Sequence, residues 1–332
     1  MIQSMLILIL GFILLVKGAD WFVEGAASAA ERLGIPQLVV GLTIVAMGTS
    51  MPEAAVSIAS ALKDNPEIAV GNVVGSNILN ILMILGITAL IRPIRIQKST
   101  IRYEMPFMIL ITVLLLVFGI TGSKITRIEG GIFWILFLLY FVYLFMLSRK
   151  QKAEKEVSAK SMDKKEAASG DLKAGEANQK KKKFRNSMVF LLLEIVIGGV
   201  MVVFGSDFVV DGATVLAGLM GMSDRMIALT VVAFGTSLPE LVTSITAARK
   251  GSADIAIGNV VGSNIFNILM IIGTVALLRP ISFSSAFYMD MAAAIISALV
   301  LLAGSIPSRK LGRGIGAGML LLYAGYFLLL CR

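Results

Sequence analysis

Residues Leu42–Glu53 read LTIVAMGTSMPE, and residues Leu229–Glu240 read LTVVAFGTSLPE. GNVVGSNILNILM at Gly71–Met83 returns as GNVVGSNIFNILM at Gly258–Met270, and GADWFVEGA at Gly18–Ala26 returns as GSDFVVDGA at Gly205–Ala213. Every pair is offset by 187 residues, and 29 of 46 positions are identical between Gly41–Gly86 and Ala228–Gly273. The chain is therefore two copies of one unit, and any fold must give both copies equivalent surroundings.

Those surroundings are apolar. The 332 residues are 57% hydrophobic with a mean hydropathy of +0.88, and ten apolar runs near twenty residues recur at 4–23, 37–61, 68–91, 105–121, 131–147, 188–210, 226–248, 253–278, 286–304 and 314–331. Each is long enough to cross roughly 30 Å of hydrocarbon. The expected class is an all-α membrane protein of ten transmembrane helices. The first run has no basic start and belongs to the repeat, so it reads as a span rather than a cleaved leader. A single cysteine, Cys331, excludes an internal disulfide, and the absence of histidine excludes imidazole relays and histidine-bound metal.

The offset divides ten spans into five and five. Five is odd, so the second half enters the membrane from the opposite side, giving two inverted five-helix repeats at 1–147 and 188–332. Between them, Ser148–Asn186 carries thirteen Lys/Arg and six Asp/Glu, with few large apolar side chains. This composition predicts a disordered linker over 148–187 that sets topology from the cytoplasmic side rather than binding nucleic acid. Both termini then lie outside, and the Arg92–Arg102, Arg249–Lys250 and Arg309–Arg313 loops lie inside a cell (inner) membrane. The short loops Lys63–Glu67 and Asp224–Arg225 lie outside. Inverted halves that exchange roles are the architecture of alternating access in secondary transporters.

Each half places a proline and a glutamate together inside a span. Pro52 and Pro239 donate no backbone hydrogen bond and disturb the preceding turn, at Gly48 and Gly235. A mid-membrane carboxylate costs roughly 2.5–3.5 kcal/mol even on the lenient insertion scale, so Glu53 and Glu240 need compensation. No lysine or arginine lies within the four repeat spans to supply it. The neighbouring polar groups are oxygens and amides: Thr49, Ser50, Thr236 and Ser237 precede the acids. Asn72, Ser76, Asn77 and Asn80 match Asn259, Ser263, Asn264 and Asn267. Ser76 and Asn80, four apart, share a helix face, as do Ser263 and Asn267. Hard oxygen donors with two negative charges suit Ca²⁺ or Na⁺; Mg²⁺ fits worse because it holds its water, and Mn²⁺ stays open.

GTSMPE with GNVVGSNILN, repeated as GTSLPE with GNVVGSNIFN, resembles the repeats of the cation/calcium antiporter superfamily, in particular its prokaryotic sodium/calcium exchanger branch. The resemblance covers all ten spans. It implies a core of helices 2, 3, 7 and 8, and antiport in which sodium enters as calcium leaves. It implies calcium ligands at Glu53, Glu240, Thr49 and Thr236, and sodium ligands at Ser50, Ser76, Ser237 and Ser263. The backbone carbonyls of Ala46 and Ala233 are further implied ligands, with Asn80 and Asn267 as the last polar positions. Asn267 stands where potassium-dependent members carry an acid, which argues against potassium dependence. Helices 1 and 6, here Met5–Val23 and Met188–Val210, are implied to slide across the core. Asp20 and Asp207 read as interfacial, while Glu194 and Asp290 have no assigned role. Na⁺ and Ca²⁺ are cargo; no cofactor, enzyme activity or protein partner is expected. A proton/divalent-cation antiporter and a passive cation channel are the competing readings, and an intramembrane hydrolase lacks a nucleophile-activating set.

Overall fold

The computed structural model describes residues 2–166, 188–221 and 233–330. Among these, eight helices are long and apolar enough to span a membrane, or nine counting one bent pair. They are α1 (Ile2–Leu33), the bent pair α2 (Gln37–Thr49) and α3 (Met51–Leu62), α4 (Glu67–Ile91), α5 (Thr100–Ile120) and α6 (Arg127–Glu166). The second half supplies α7 (Met188–Leu219), the short α8 (Ala233–Gly235), α9 (Leu238–Arg249), α10 (Ala253–Leu278), α11 (Phe287–Ser305) and α12 (Arg313–Leu330). The Asp224–Arg225 loop, the start of the 226–248 run and Cys331 lie outside the described residues.

Polarity is distributed inside out relative to a water-soluble protein. Glu53, Asn80, Glu240, Asn259, Ser263 and Asn267 are buried, while Leu6, Ile13, Leu110, Leu139 and Val189 stand exposed. This is the arrangement hydrocarbon demands, because unmatched polar groups on the rim have no water to bond. The protein is thus a multi-pass helical membrane protein. Helices α4 and α10, which carry the two GNVVGSN segments, are the most completely enclosed of the spans.

Two details depart from the sequence reading. The first and sixth helices do not end near Val23 and Val210 but continue through the small-residue stretches to Leu33 and Leu219. The first part of the expected disordered linker is helical, because α6 continues past Ser148 as one helix to Glu166. Its alanine-, lysine- and glutamate-rich composition has high intrinsic helix preference, which overrides its lack of apolar side chains. The remainder of the linker lies outside the described residues.

Helices α1 and α7 pack against each other along most of their length through glycines seven residues apart. Gly11, Gly18 and Gly25 on one helix meet Gly205, Gly198 and the region of Glu194 on the other, while Gly212 meets Leu8. A Cβ at Gly198 would come within 2.5 Å of the Phe22 amide nitrogen, and one at Gly205 within 2.6 Å of that of Leu15. Small residues allow this backbone approach, from which membrane helices gain packing without a hydrophobic driving force.

Outside the core, short ribbons join the halves. Strand β1 (Ile94–Arg95) pairs antiparallel with β4 (Lys310–Leu311), and β2 (Lys124–Ile125) with β3 (Ile281–Ser282). β1 and β3 are repeat equivalents 187 residues apart, so the two ribbons are themselves a symmetric pair.

Candidate cation site

The proline acts differently from the expectation of a simple opened turn. The chain breaks at Ser50 (φ −84°, ψ 9°), and α2 and α3 meet there at 49°. Pro52 then sits in the first turn of α3, where its missing N–H is not needed. The second half repeats this at Ser237 (φ −92°, ψ 5°), with Pro239 in the first turn of α9. Glu53 and Glu240 therefore occupy helix first turns, where unpaired amides and the helix dipole favour negative charge.

Both glutamates are fully buried, at 0% exposure. Each has one oxygen engaged by hydroxyls and one with no partner. The Ser50 hydroxyl donates to Glu240 Oε1 at 2.7 Å, and Ser263 donates to the same oxygen at 3.4 Å. In the mirrored arrangement, Ser237 donates to Glu53 Oε1 at 3.2 Å and Ser76 does so at 3.5 Å. Each acid thus takes one serine from its own half and one from the other. Glu53 Oε2 and Glu240 Oε2 remain buried and unmatched.

The amides follow the same two-fold logic. Asn77 Nδ2 donates to the Asn264 carbonyl at 3.2 Å, and Asn264 Nδ2 to the Asn77 carbonyl at 3.1 Å. Asn80 Nδ2 reaches Asn264 Oδ1 at 3.1 Å, and Asn267 Nδ2 reaches Asn77 Oδ1 at 3.0 Å. With their amino groups committed, Asn80 and Asn267 each leave a buried carbonyl oxygen unmatched. Both lie on π-helical turns, Leu79–Ile84 and Asn267–Ile272, an irregularity frequent at functional sites.

Behind the acids, Asn72 donates to the Glu53 carbonyl and to Ser57, and Asn259 donates to the Glu240 carbonyl and to Ser244. Ser57 and Ser244 were not singled out from the sequence, yet their recurrence at the repeat offset marks them. The Thr49 hydroxyl lies 3.0 Å from Asn259 Oδ1 and 3.3 Å from the Ala46 carbonyl, which also accepts from Ser263. Thr236 Oγ1 is unmatched. Ala233 opens helix α8. The structure therefore gathers Glu53, Glu240, Thr49, Ser50, Ser237, Ser76 and Ser263 into two mirrored sets: Ser50 and Ser263 on Glu240, with Thr49 linked through Asn259, and Ser237 and Ser76 on Glu53. Asn80 and Asn267 belong to a separate set with the central asparagines Asn77 and Asn264.

The unassigned acids lie elsewhere. Asp290 accepts a hydrogen bond from Tyr326 at 2.9 Å, Asp20 pairs with Lys250, and Glu194 packs its Cβ over Gly25. No cluster of three or more His, Cys, Asp or Glu residues that could hold a metal occurs among the described residues.

Residues 3–147 and 190–332 match the family model for the sodium/calcium exchanger protein. The chain is 36% identical to the inner membrane protein YrbG of Escherichia coli over 95% of this chain and 93% of that one. It is 34% identical to the sodium/calcium exchanger MaX1 of Methanosarcina acetivorans over 98% of both. Its fold superposes on structures of the sodium-calcium exchanger NCX_Mj with a TM-score of 0.80 and 32% identity, covering 100% of this chain and 99% of that one. The matched regions include both halves of the buried carboxylate network, and the chain belongs to the sodium/calcium exchanger family of cation antiporters.

Proposed function

We propose that this protein exchanges Na⁺ for Ca²⁺ by alternating access, with Glu53 and Glu240 as shared cation ligands. The observation that carries this reading is the matched set of unsatisfied oxygens: one carboxylate oxygen from each half and the side-chain carbonyls of Asn80 and Asn267. Buried oxygens without donors attract a cation, and neutral oxygens with two carboxylates suit a hard ion that tolerates irregular coordination. Ca²⁺ neutralises both acids at once. Several Na⁺ ions do the same when spread over the carboxylates and the hydroxyls of Ser50, Ser76, Ser237 and Ser263. Thr49, Thr236 and the carbonyls of Ala46 and Ala233 complete the proposed ligand shell. The loaded core passes an apolar sliding surface, whereas the empty, doubly charged core is penalised, which couples the two fluxes.

Contacts between loops support ten crossings in two inverted halves. One set joins β1 to β4, Arg92 to the Arg249 carbonyl, Gln97 to Asp254, and Lys250 to Asp20 and Glu24. The other joins β2 to β3, Arg279 to Asp64, and Arg127 to the Leu278 carbonyl. Ten alternating crossings put every member of the first set at one end and every member of the second at the other. The first end carries the basic loops Arg92–Arg102 and Arg309–Arg313 and is assigned to the cytoplasm. Both termini then lie on the opposite side of a cell (inner) membrane.

The test is ion flux in proteoliposomes containing the purified chain. Calcium uptake driven by an outward Na⁺ gradient, with the membrane potential clamped, supports the reading. Uptake driven by a pH gradient without Na⁺ would transfer the coupling to protons, and large sodium-independent currents would make the protein a channel.

A further inference from the structure

Away from the cation site, a cavity of about 460 Å³ opens between α5 and α6, lined by residues from Arg102 to Leu110 and from Leu136 to Tyr143. Its repeat equivalent between α11 and α12 encloses about 430 Å³, lined by Ala293, Ser297, Leu322, Gly325 and Tyr326 among others. A cavity built twice is a property of the fold. The two differ in chemistry.

Among the described residues, the first has a fully buried carboxylate in its wall, whereas the acid beside the second, Asp290, is part-buried and bonded to Tyr326. Glu104 is 0% exposed, accepts a hydrogen bond from Tyr143, and leaves Oε2 without a partner. Tyr140 OH, on the same wall, is also buried and unmatched. At the rim, the Arg102 guanidinium lies over the Tyr103 ring, 5.7 Å from its centroid. From there the wall descends through Phe107 to Leu110 and Leu139, both strongly exposed on the membrane-facing surface. Tyr103 to Leu110 spans about 10 Å of helix, at 1.5 Å per residue.

We propose that this cavity seats a membrane phospholipid with a primary-ammonium headgroup. Its ammonium is received by Glu104 and Tyr140, its phosphate by Arg102, and one acyl chain lies along Leu110 and Leu139. A zwitterion with N–H donors supplies what Glu104 Oε2 and Tyr140 lack, and it offers Arg102 an anion. The exposed leucines at the deep end meet hydrocarbon in any bilayer orientation, which selects a lipid over a soluble amine. The equivalent cavity has Met291 at the position of Glu104, and its one adjacent acid, Asp290, is already bonded to Tyr326, so it serves as an internal control with weaker headgroup selectivity.

The test uses the full-length protein in detergent. Native mass spectrometry would measure retention of phosphatidylethanolamine, its mono- and dimethylated derivatives and phosphatidylcholine with identical acyl chains. This series removes N–H donors at constant charge. The expected result is stepwise weakening, at least about tenfold overall, as the hydrogen bonds to Glu104 and Tyr140 are lost. Glu104→Gln should bring the ethanolamine lipid close to the choline lipid, and Leu139→Trp, on the exposed wall, should reduce retention of both. Equal retention across the wild-type series overturns the proposal whether or not any variant folds. So does a headgroup preference that survives Glu104→Gln, retention unchanged by Leu139→Trp, or displacement of the lipid by free ethanolamine.

Discussion

Replacing Gly198 by alanine adds a single methyl group where the α1–α7 seam has no room for it. The new Cβ would lie 2.5 Å from the Phe22 amide nitrogen, 2.8 Å from the Gly18 carbonyl and 3.0 Å from the Phe22 Cα. All three are backbone atoms, so no rotamer change relieves the contact. Restoring an ordinary separation of about 3.4 Å requires the helices to part by about 0.9 Å. Overpacking of this kind costs about 1–3 kcal/mol. Alanine returns about 1 kcal/mol through its better helix propensity, leaving a net destabilisation of up to about 2 kcal/mol. Gly318→Ala on α12 is the control, because a Cβ there meets no described atom within 4 Å. Thermal unfolding of the purified protein, followed by fluorescence of Trp21 and Trp134, should show Gly198→Ala melting a few degrees below wild type and Gly318→Ala at or above it. Calcium exchange in vesicles should slow only in the former, because a wedged seam holds the helix pair off the core. Equal melting and equal flux in the two variants would refute the claim that backbone contact along the seam limits both stability and transport.

Other outcomes follow from the site and the ribbons. Glu53→Gln and Glu240→Gln should each reduce sodium-driven calcium uptake to background while the protein still inserts and purifies; full uptake in either removes that residue from the ligand set. Asn77→Ala strands the Asn264 carbonyl and the Asn267 amino group. It should destabilise the protein by about 2–4 kcal/mol, measured by chemical denaturation in detergent. Cysteines introduced at Ile94 and Leu311, with Cys331 replaced, should oxidise readily to a disulfide, because these residues are register partners. A gel shift would report it, and failure to form would argue against the β1–β4 pairing.

Most of the buried polar cluster was legible because it is written twice. A polar residue recurring 187 positions later inside an apolar run has to serve both halves, and this singled out Glu53, Ser50, Ser76 and Asn80 with their counterparts. The partners of these residues were not legible, since the sequence does not reveal that Ser50 reaches Glu240 instead of Glu53. That crossing depends on how the broken helices are set against each other. Glu104 escaped notice for the opposite reason: its counterpart is Met291, so repetition gave no signal. The helical extension to Glu166 lay in a segment where charge pattern predicted disorder and backbone propensity predicted helix. Two-residue ribbons such as β1 and β4 are too short to leave any periodicity.

The exchange of serines between the acids also bears on ancestry. With Ser50 bound to Glu240 and Ser237 bound to Glu53, a lone half would hold its carboxylate with only one of its two hydroxyl partners. In the proposed topology, a single-unit forerunner would have functioned only as a homodimer whose members inserted in opposite directions. Fusion through a basic connector would then have locked in an orientation that earlier depended on chance insertion.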